Sequence, residues 1–143
     1  MTTTVERTVR TTASPDAAFA YLVDFRSAPD WDYGTISCER TSGDGGPGTT
    51  YANVSKFAGN TVELEYTTEK VEQPEFVIVG RNETTTSRDT ITVRPEGEGS
   101  VVTYRADFDF SGAVRFLGPV MTPLLNRLGD NTARTLKESL DRL

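Results

Sequence analysis

The chain contains no histidine and only one cysteine, Cys38. Without imidazole there is no Ser-His-Asp or Cys-His arrangement, and no His-based zinc or haem site. A lone thiol forms no internal disulfide, which fits a reducing compartment. With no imidazole to activate it, Cys38 reads as an ordinary strand residue. Long apolar runs are missing too, and none approaches the roughly 20 residues of a membrane-spanning helix. The opening Met1-Thr-Thr-Thr-Val-Glu-Arg7 has no apolar stretch of the signal-peptide kind, so the expected location is cytoplasmic. Basic residues are the minority: 15 Lys and Arg face 21 Asp and Glu, for a formal charge of −6. Nucleic-acid partners draw most of their affinity from a basic face, so none is expected here. Insertion into a membrane, or attraction to an anionic one, is not expected either.

What remains is a chain of 143 residues, 36% of them apolar, which suits a single domain spanning 1–143 with one core. Thr2 to Thr12 is rich in threonine and valine and reads as a strand. Ser14-Pro15-Asp16-Ala17 then forms a helix start. Serine caps the orphan amides, proline fits the first position, and aspartate meets the positive end of the dipole. Phe19, Leu22 and Val23 give that short helix one buried stripe, and Ala28-Pro29-Asp30-Trp31 ends it in a turn or second short helix.

From Gly34 the pattern changes to strands, expected near 35–42, 48–57, 61–72, 76–82, 85–94 and 100–110. Glycine and proline turns separate them: the loose 42–48 loop, Ala58-Gly59-Asn60, Gln73-Pro74-Glu75 and Glu96-Gly97-Glu98-Gly99. Turns this short make successive strands pair as an antiparallel meander. The last thirty residues are helical, with Leu117, Met121, Leu124, Leu125 and Leu128 on one stripe. Leu136, Leu140 and Leu143 continue it after a polar interval, and Pro123 predicts a kink or an irregular first turn.

One helix is too narrow for such a sheet. Seven strands at about 4.8 Å would span roughly 30 Å if flat, against about 10–12 Å for a helix. The sheet must therefore curl around the helix, and the size of the facing side chains decides how much space stays open. Tyr51 with Phe57, Leu64 with Tyr66, and Tyr104 with Phe108 and Phe110 are in phase on that face.

The order strand, two short helices, six strands, long helix resembles the START and Bet v 1-like (SRPBCC) superfamily with its helix-grip α+β fold. Within it, the chain looks like the polyketide cyclase/dehydrase group. The resemblance rests on Ala13-Ser-Pro-Asp-Ala-Ala-Phe-Ala-Tyr-Leu22 with Ala28-Pro-Asp-Trp31, on Pro47-Gly-Thr-Thr-Tyr51, on Gly99-Ser-Val-Val-Thr-Tyr104, and on Gly118-Pro119. It implies binding or carriage of a hydrophobic small molecule, lipid, polyketide or isoprenoid-like, in an internal cavity of a monomer or homodimer. The alternative it implies is a polyketide cyclase or dehydratase acting in the same cavity, which requires a polar side chain inside with a displaced pKa. A domain that mainly associates with itself or a partner protein would instead have a filled cavity and a large apolar surface patch.

The candidate ligand-binding residues are Trp31, Tyr51, Phe57, Tyr66, Tyr104, Phe108, Leu117, Met121, Leu124 and Leu125. Trp31 either caps the mouth or sits in the core. Tyr66 and Tyr104 join an apolar body to a hydroxyl that needs a partner, and Met121 adapts its shape to varied apolar guests. Glu63 with Glu65, and Asp107 with Asp109, alternate with Leu64 and Phe108 and should face water. In cyclase-like members a buried arginine orients substrate carbonyls, but neither Arg81 nor Arg88 matches a motif of the family, so both stay out of the site. No cofactor and no metal are expected, and no catalytic residue is assigned.

Overall fold

Local sequence signals set most element boundaries. The computed structural model describes residues 2–112 and 118–143. Strand β1 (Thr2–Thr11) leads into α1 (Pro15–Val23), whose first turn is capped by Ser14 Oγ accepting from Ala17 N at 3.2 Å. A 3-10 turn (Phe25–Ser27) and the one-turn α2 (Ala28–Trp31) follow. The remaining strands are β2 (Thr35–Ser42), β3 (Thr50–Phe57), β4 (Asn60–Glu72), β5 (Glu75–Arg81), β6 (Thr85–Glu96) and β7 (Gly99–Phe110). Helix α3 (Gly118–Asp141) closes the chain.

All the pairings are antiparallel, and the seven strands lie in the order β1-β7-β6-β5-β4-β3-β2. The meander from β2 onward is as the turns predict, while β1 returns to pair with β7. The hairpins are tighter than the sequence suggests. Phe57 pairs with Asn60, and Glu96 with Gly99, so two residues suffice at each turn. The strands therefore extend to the turn residues themselves, and β6 runs two residues past the expected 94.

Helix α3 lies along β1 and α2. Gly129 makes the close approach possible, because a Cβ there would collide with Val5 Cγ1. Arg7 straddles the same contact, donating from Nε to Asp130 Oδ1 at 2.9 Å and from a terminal nitrogen to the Asn126 carbonyl at 3.1 Å. The polar interval of α3 is explained by α2. Thr135 Oγ1 donates to the Trp31 carbonyl at 2.6 Å and Ser139 Oγ to the Asp30 carbonyl at 3.0 Å. These are orphan carbonyls at the end of a one-turn helix, which buried without partners would be costly. Of the kink or irregular first turn that Pro123 predicts, the irregular turn is absent, since α3 is helical from Gly118 through Pro123. Pro123 is exposed, so water can take the carbonyl that its missing N–H leaves free.

The space between sheet and helix is not uniform. Its α1–α2 end is solid: Leu22, Phe25, Trp31, Tyr51, Phe76, Ile78, Leu136 and Leu140 are buried in one cluster. Truncating a leucine such as Leu136 or Leu140 to alanine would cost about 2–5 kcal/mol. At the other end a smaller cluster of Val5, Phe110 and Leu125 is packed by Phe57, Phe108, Met121 and Leu128. The site lies there.

Candidate functional site

A cavity of about 600 Å³ opens at that end, between β3, β4, β6 and β7, the β5–β6 turn and the first turns of α3. Its apolar wall comes from Phe57, Val62, Leu64, Phe108, Phe110, Met121, Leu125 and Leu128. Its polar inner end comes from Asp32, Tyr66, Ser87 and Tyr104. Lys56, Glu63 and Glu83 lie at the rim and are exposed.

The expected ligand-binding residues divide in three ways. Phe57, Tyr66, Tyr104, Phe108, Met121 and Leu125 line the cavity. Trp31, Tyr51 and Leu124 do not. Trp31 is fully buried in the solid end, edge-on to Phe25 and Tyr104 at 6.0 and 5.8 Å, with Nε1 donating to Ser27 Oγ at 3.0 Å. The tie between α2 and α3 draws it inward, so it packs behind Tyr104 instead of capping a mouth. Tyr51 is fully buried beside Phe25, ring centroids 5.9 Å apart. Leu124 is half-buried on the flank of the α3 stripe. Leu117 lies outside the described residues.

Three polar residues that the sequence reading passed over shape the inner end. Asp89 is 1% exposed, on the inward face of β6, and its Oδ1 accepts from Ser87 Oγ at 2.8 Å. Burial, and then the charge of Asp32, push the Asp89 carboxyl up to about 8. Asp32 follows α2, and its carboxylate accepts from Thr35 Oγ1 at 2.9 Å and Thr132 Oγ1 at 3.3 Å. Burial raises this carboxyl as well, against those two hydrogen bonds. Tyr66 and Tyr104 are both held well above the usual phenol range, first by burial and then by the charges of Asp89 and Asp32. At neutral pH the inner end therefore presents two neutral phenols, the Ser87 hydroxyl and the Asp32 carboxyl, with the mostly protonated Asp89 carboxyl behind Ser87.

Phenols both donate and accept hydrogen bonds, and Ser87, already donating to Asp89, offers a guest its oxygen as an acceptor. The signal for Asp89 was present: Ile91 and Val93 face inward, and a period of two carries Ser87 and Asp89 with them. Asp32 gave no comparable signal, because a residue just past a one-turn helix has no periodicity to read.

The remaining charged and reactive candidates fall outside the cavity's inner wall. Glu65, Asp107 and Asp109 are on the outward face, as their alternation predicts, and Glu63 reaches only the rim. Arg88 and Arg81 also point outward and share Glu69, at 2.7 and 3.9 Å. Cys38 is buried in β2, and burial pushes its thiol up to about 11, the opposite of an activated nucleophile. Among the described residues, no group of acidic, histidine or cysteine side chains is placed to hold a metal ion.

The family model described as "Polyketide cyclase / dehydrase and lipid transport" matches residues 2–141. The chain belongs to this family. No curated protein matches it. Among solved structures, it is similar to a START superfamily protein from Mycobacterium smegmatis, with a TM-score of 0.82 at 16% identity over 97% of each chain. It is similar to the Zhui aromatase/cyclase from Streptomyces sp. R1128, with a TM-score of 0.83 at 13% identity over 99% of this chain and 95% of that one. Ara h 8.0201 matches with a TM-score of 0.70 at 16% identity over the whole of both chains. At these identities the likeness establishes the helix-grip fold alone.

Proposed function

We propose that this member of the family holds a hydrophobic small molecule, lipid, polyketide or isoprenoid-like, in the cavity between the sheet and α3. One observation carries the reading: a void of about 600 Å³ with a mainly apolar wall and a few convergent polar groups. Ligand sites typically measure roughly 300–1,000 Å³ and have that composition. A protein built only for self-association would gain stability by filling such a space. No helix among the described residues is long and apolar enough to cross a membrane. We read the protein as a cytoplasmic monomer or homodimer with no nucleic-acid partner, in line with its acidic composition. Native mass spectrometry of purified protein, followed by solvent extraction, tests the proposal. A reproducible apolar adduct is expected. A preparation that is always empty and binds no apolar dye would overturn it.

A second reading, a cyclase or dehydratase, is favoured by one feature, the buried carboxyl of Asp89 behind two phenols. A carboxyl held near 8 is matched to proton transfer at physiological pH. Under this reading Asp89→Asn abolishes turnover of a polyketide-like substrate and leaves its binding intact. Unchanged turnover in the variant would remove Asp89 from the chemistry.

A further inference from the structure

The charge of the walls narrows the class of guest, on the reading that the cavity is a ligand site. The polar inner end holds Asp32 on the wall and Asp89 directly behind Ser87. Among the described residues, the only cation on the lining is Lys56. Lys56 is exposed at the rim and occupies an outward position of β3, between the inward Ser55 and Phe57. The two least exposed of the ion-paired arginines lie elsewhere. Arg7 is held by Asp130 and Asn126 on α3, and Arg40 lies 4.0 Å from Asp24 at the opposite end. Neither lines the cavity.

An anionic headgroup taken into this space would lose its water and meet no countercharge, only carboxyl groups and phenols. A hydroxyl, phenol or amine carries no negative charge and can hydrogen-bond to the two phenols, to Ser87 Oγ and to the Asp32 carboxyl. From this lining we infer that the cavity selects an apolar molecule whose polar end carries no negative charge, an alcohol, phenol or amine, and excludes carboxylates and phosphates of the same apolar length. The behaviour of the wall itself agrees with this, since burial and Asp32 keep the protein's own Asp89 largely protonated at neutral pH. A guest carboxylate would face the same desolvation and the same neighbour.

The test uses the intact chain and phenylnaphthylamine, an uncharged dye that fluoresces in apolar surroundings. Dodecanol, dodecylamine and dodecanoate, kept below micelle formation at neutral pH, compete for the bound dye. The alcohol and the amine are expected to displace it at concentrations at least about tenfold lower than the carboxylate. Asp32→Asn is expected to narrow that gap by about threefold or more at neutral pH. Asp89 adds its charge only when it ionises, so raising the pH to about 9 is expected to widen the gap in the wild type and not in Asp89→Asn. Asp32 also ties α2 to α3, so the isosteric Asp89→Asn carries the test if Asp32→Asn does not fold. Dodecanoate competing as well as dodecanol in the wild type would overturn the charge selection. So would a wild-type gap that does not widen as the pH is raised to about 9. Failure of the dye to bind at all would instead overturn the ligand-site reading, and the inference with it.

Discussion

The ring of Tyr66 on β4 lies over Gly80, its register partner on β5, and depends on that residue having no side chain. A Cβ at Gly80 would come within 2.6 Å of the Tyr66 Cζ and 2.8 Å of both adjacent ring carbons. Gly80 thus fixes where the phenol sits, against Phe25 at 4.8 Å between centroids and facing the cavity. Gly80→Ala is expected to destabilise the fold by about 1–3 kcal/mol through overpacking. A Tyr66→Leu background should relieve much of that cost, because the two changes share one contact. Chemical denaturation of the single and double variants checks this. Simple additivity would mean the ring has room to move aside.

Asp89 makes stability depend on pH in a direction unusual for a carboxylate. Its folded-state value of about 8 lies above the ordinary 3.8, so the native state binds the proton more tightly than the unfolded chain does. Its contribution is fully present below about pH 4 and is lost as pH rises towards about 8, with a limiting slope near 1.4 kcal/mol per unit. Asp32 is shifted in the same direction and adds to the trend. Tyr66 and Tyr104 stay neutral throughout that window. Asp89→Asn keeps the shape and an acceptor for Ser87 while removing the titration. Urea unfolding at about pH 5 and about pH 8 should show the wild type losing roughly 2 kcal/mol or more between them, and the variant markedly less. Equal slopes in the two proteins would mean that Asp89 is not the group responsible.

Where the sequence speaks through short-range chemistry, it predicts the fold closely. Ser14-Pro15 starts α1 because a cap and a fixed φ act within one turn, and Ala58-Gly59 turns β3 into β4 by local backbone geometry alone. The cavity is a long-range property, and its lining was only partly legible. Met121 and Leu125 share the α3 stripe with Leu136, yet the first two face a void and the third a packed core. What separates them is Trp31, pulled inward by the hydrogen bonds between α2 and α3. No periodicity within α3 encodes those bonds. Asp89 was readable from its strand phase, but an acid amid threonines resembles a solvated face until Ile91 and Val93 set the register.

Ala58 carries a cost at the rim of the cavity. Its φ is +52° and that of Gly59 is +81°, the pattern of a two-residue hairpin turn with both central residues left-handed. A residue with a Cβ pays about 1–2 kcal/mol for that conformation, whereas glycine adopts it freely. Ala58→Gly, or Asn at the same position, should therefore raise stability by up to about 1 kcal/mol, with the glycine gain reduced by the extra freedom of its unfolded chain. Thermal unfolding measures it. A drop in midpoint for both variants would show that the turn depends on the Ala58 side chain.

Filling the void separates the roles of its two ends. Met121 lines the cavity from the first turns of α3 and is half-buried, outside the solid cluster around Trp31 and Leu136. Met121→Trp puts a larger side chain into open space without displacing packed neighbours, so stability should change by less than about 1 kcal/mol in either direction. Apolar dye binding should fall by about tenfold or more, since the indole occupies room the guest needs. Leu136→Ala should do the opposite, costing about 2–5 kcal/mol of stability while dye affinity in the folded fraction stays near wild type. Paired titration and unfolding measurements on the two variants distinguish these outcomes. Loss of dye binding in the Leu136 variant with full binding in the Met121 variant would put the guest at the α1–α2 end instead.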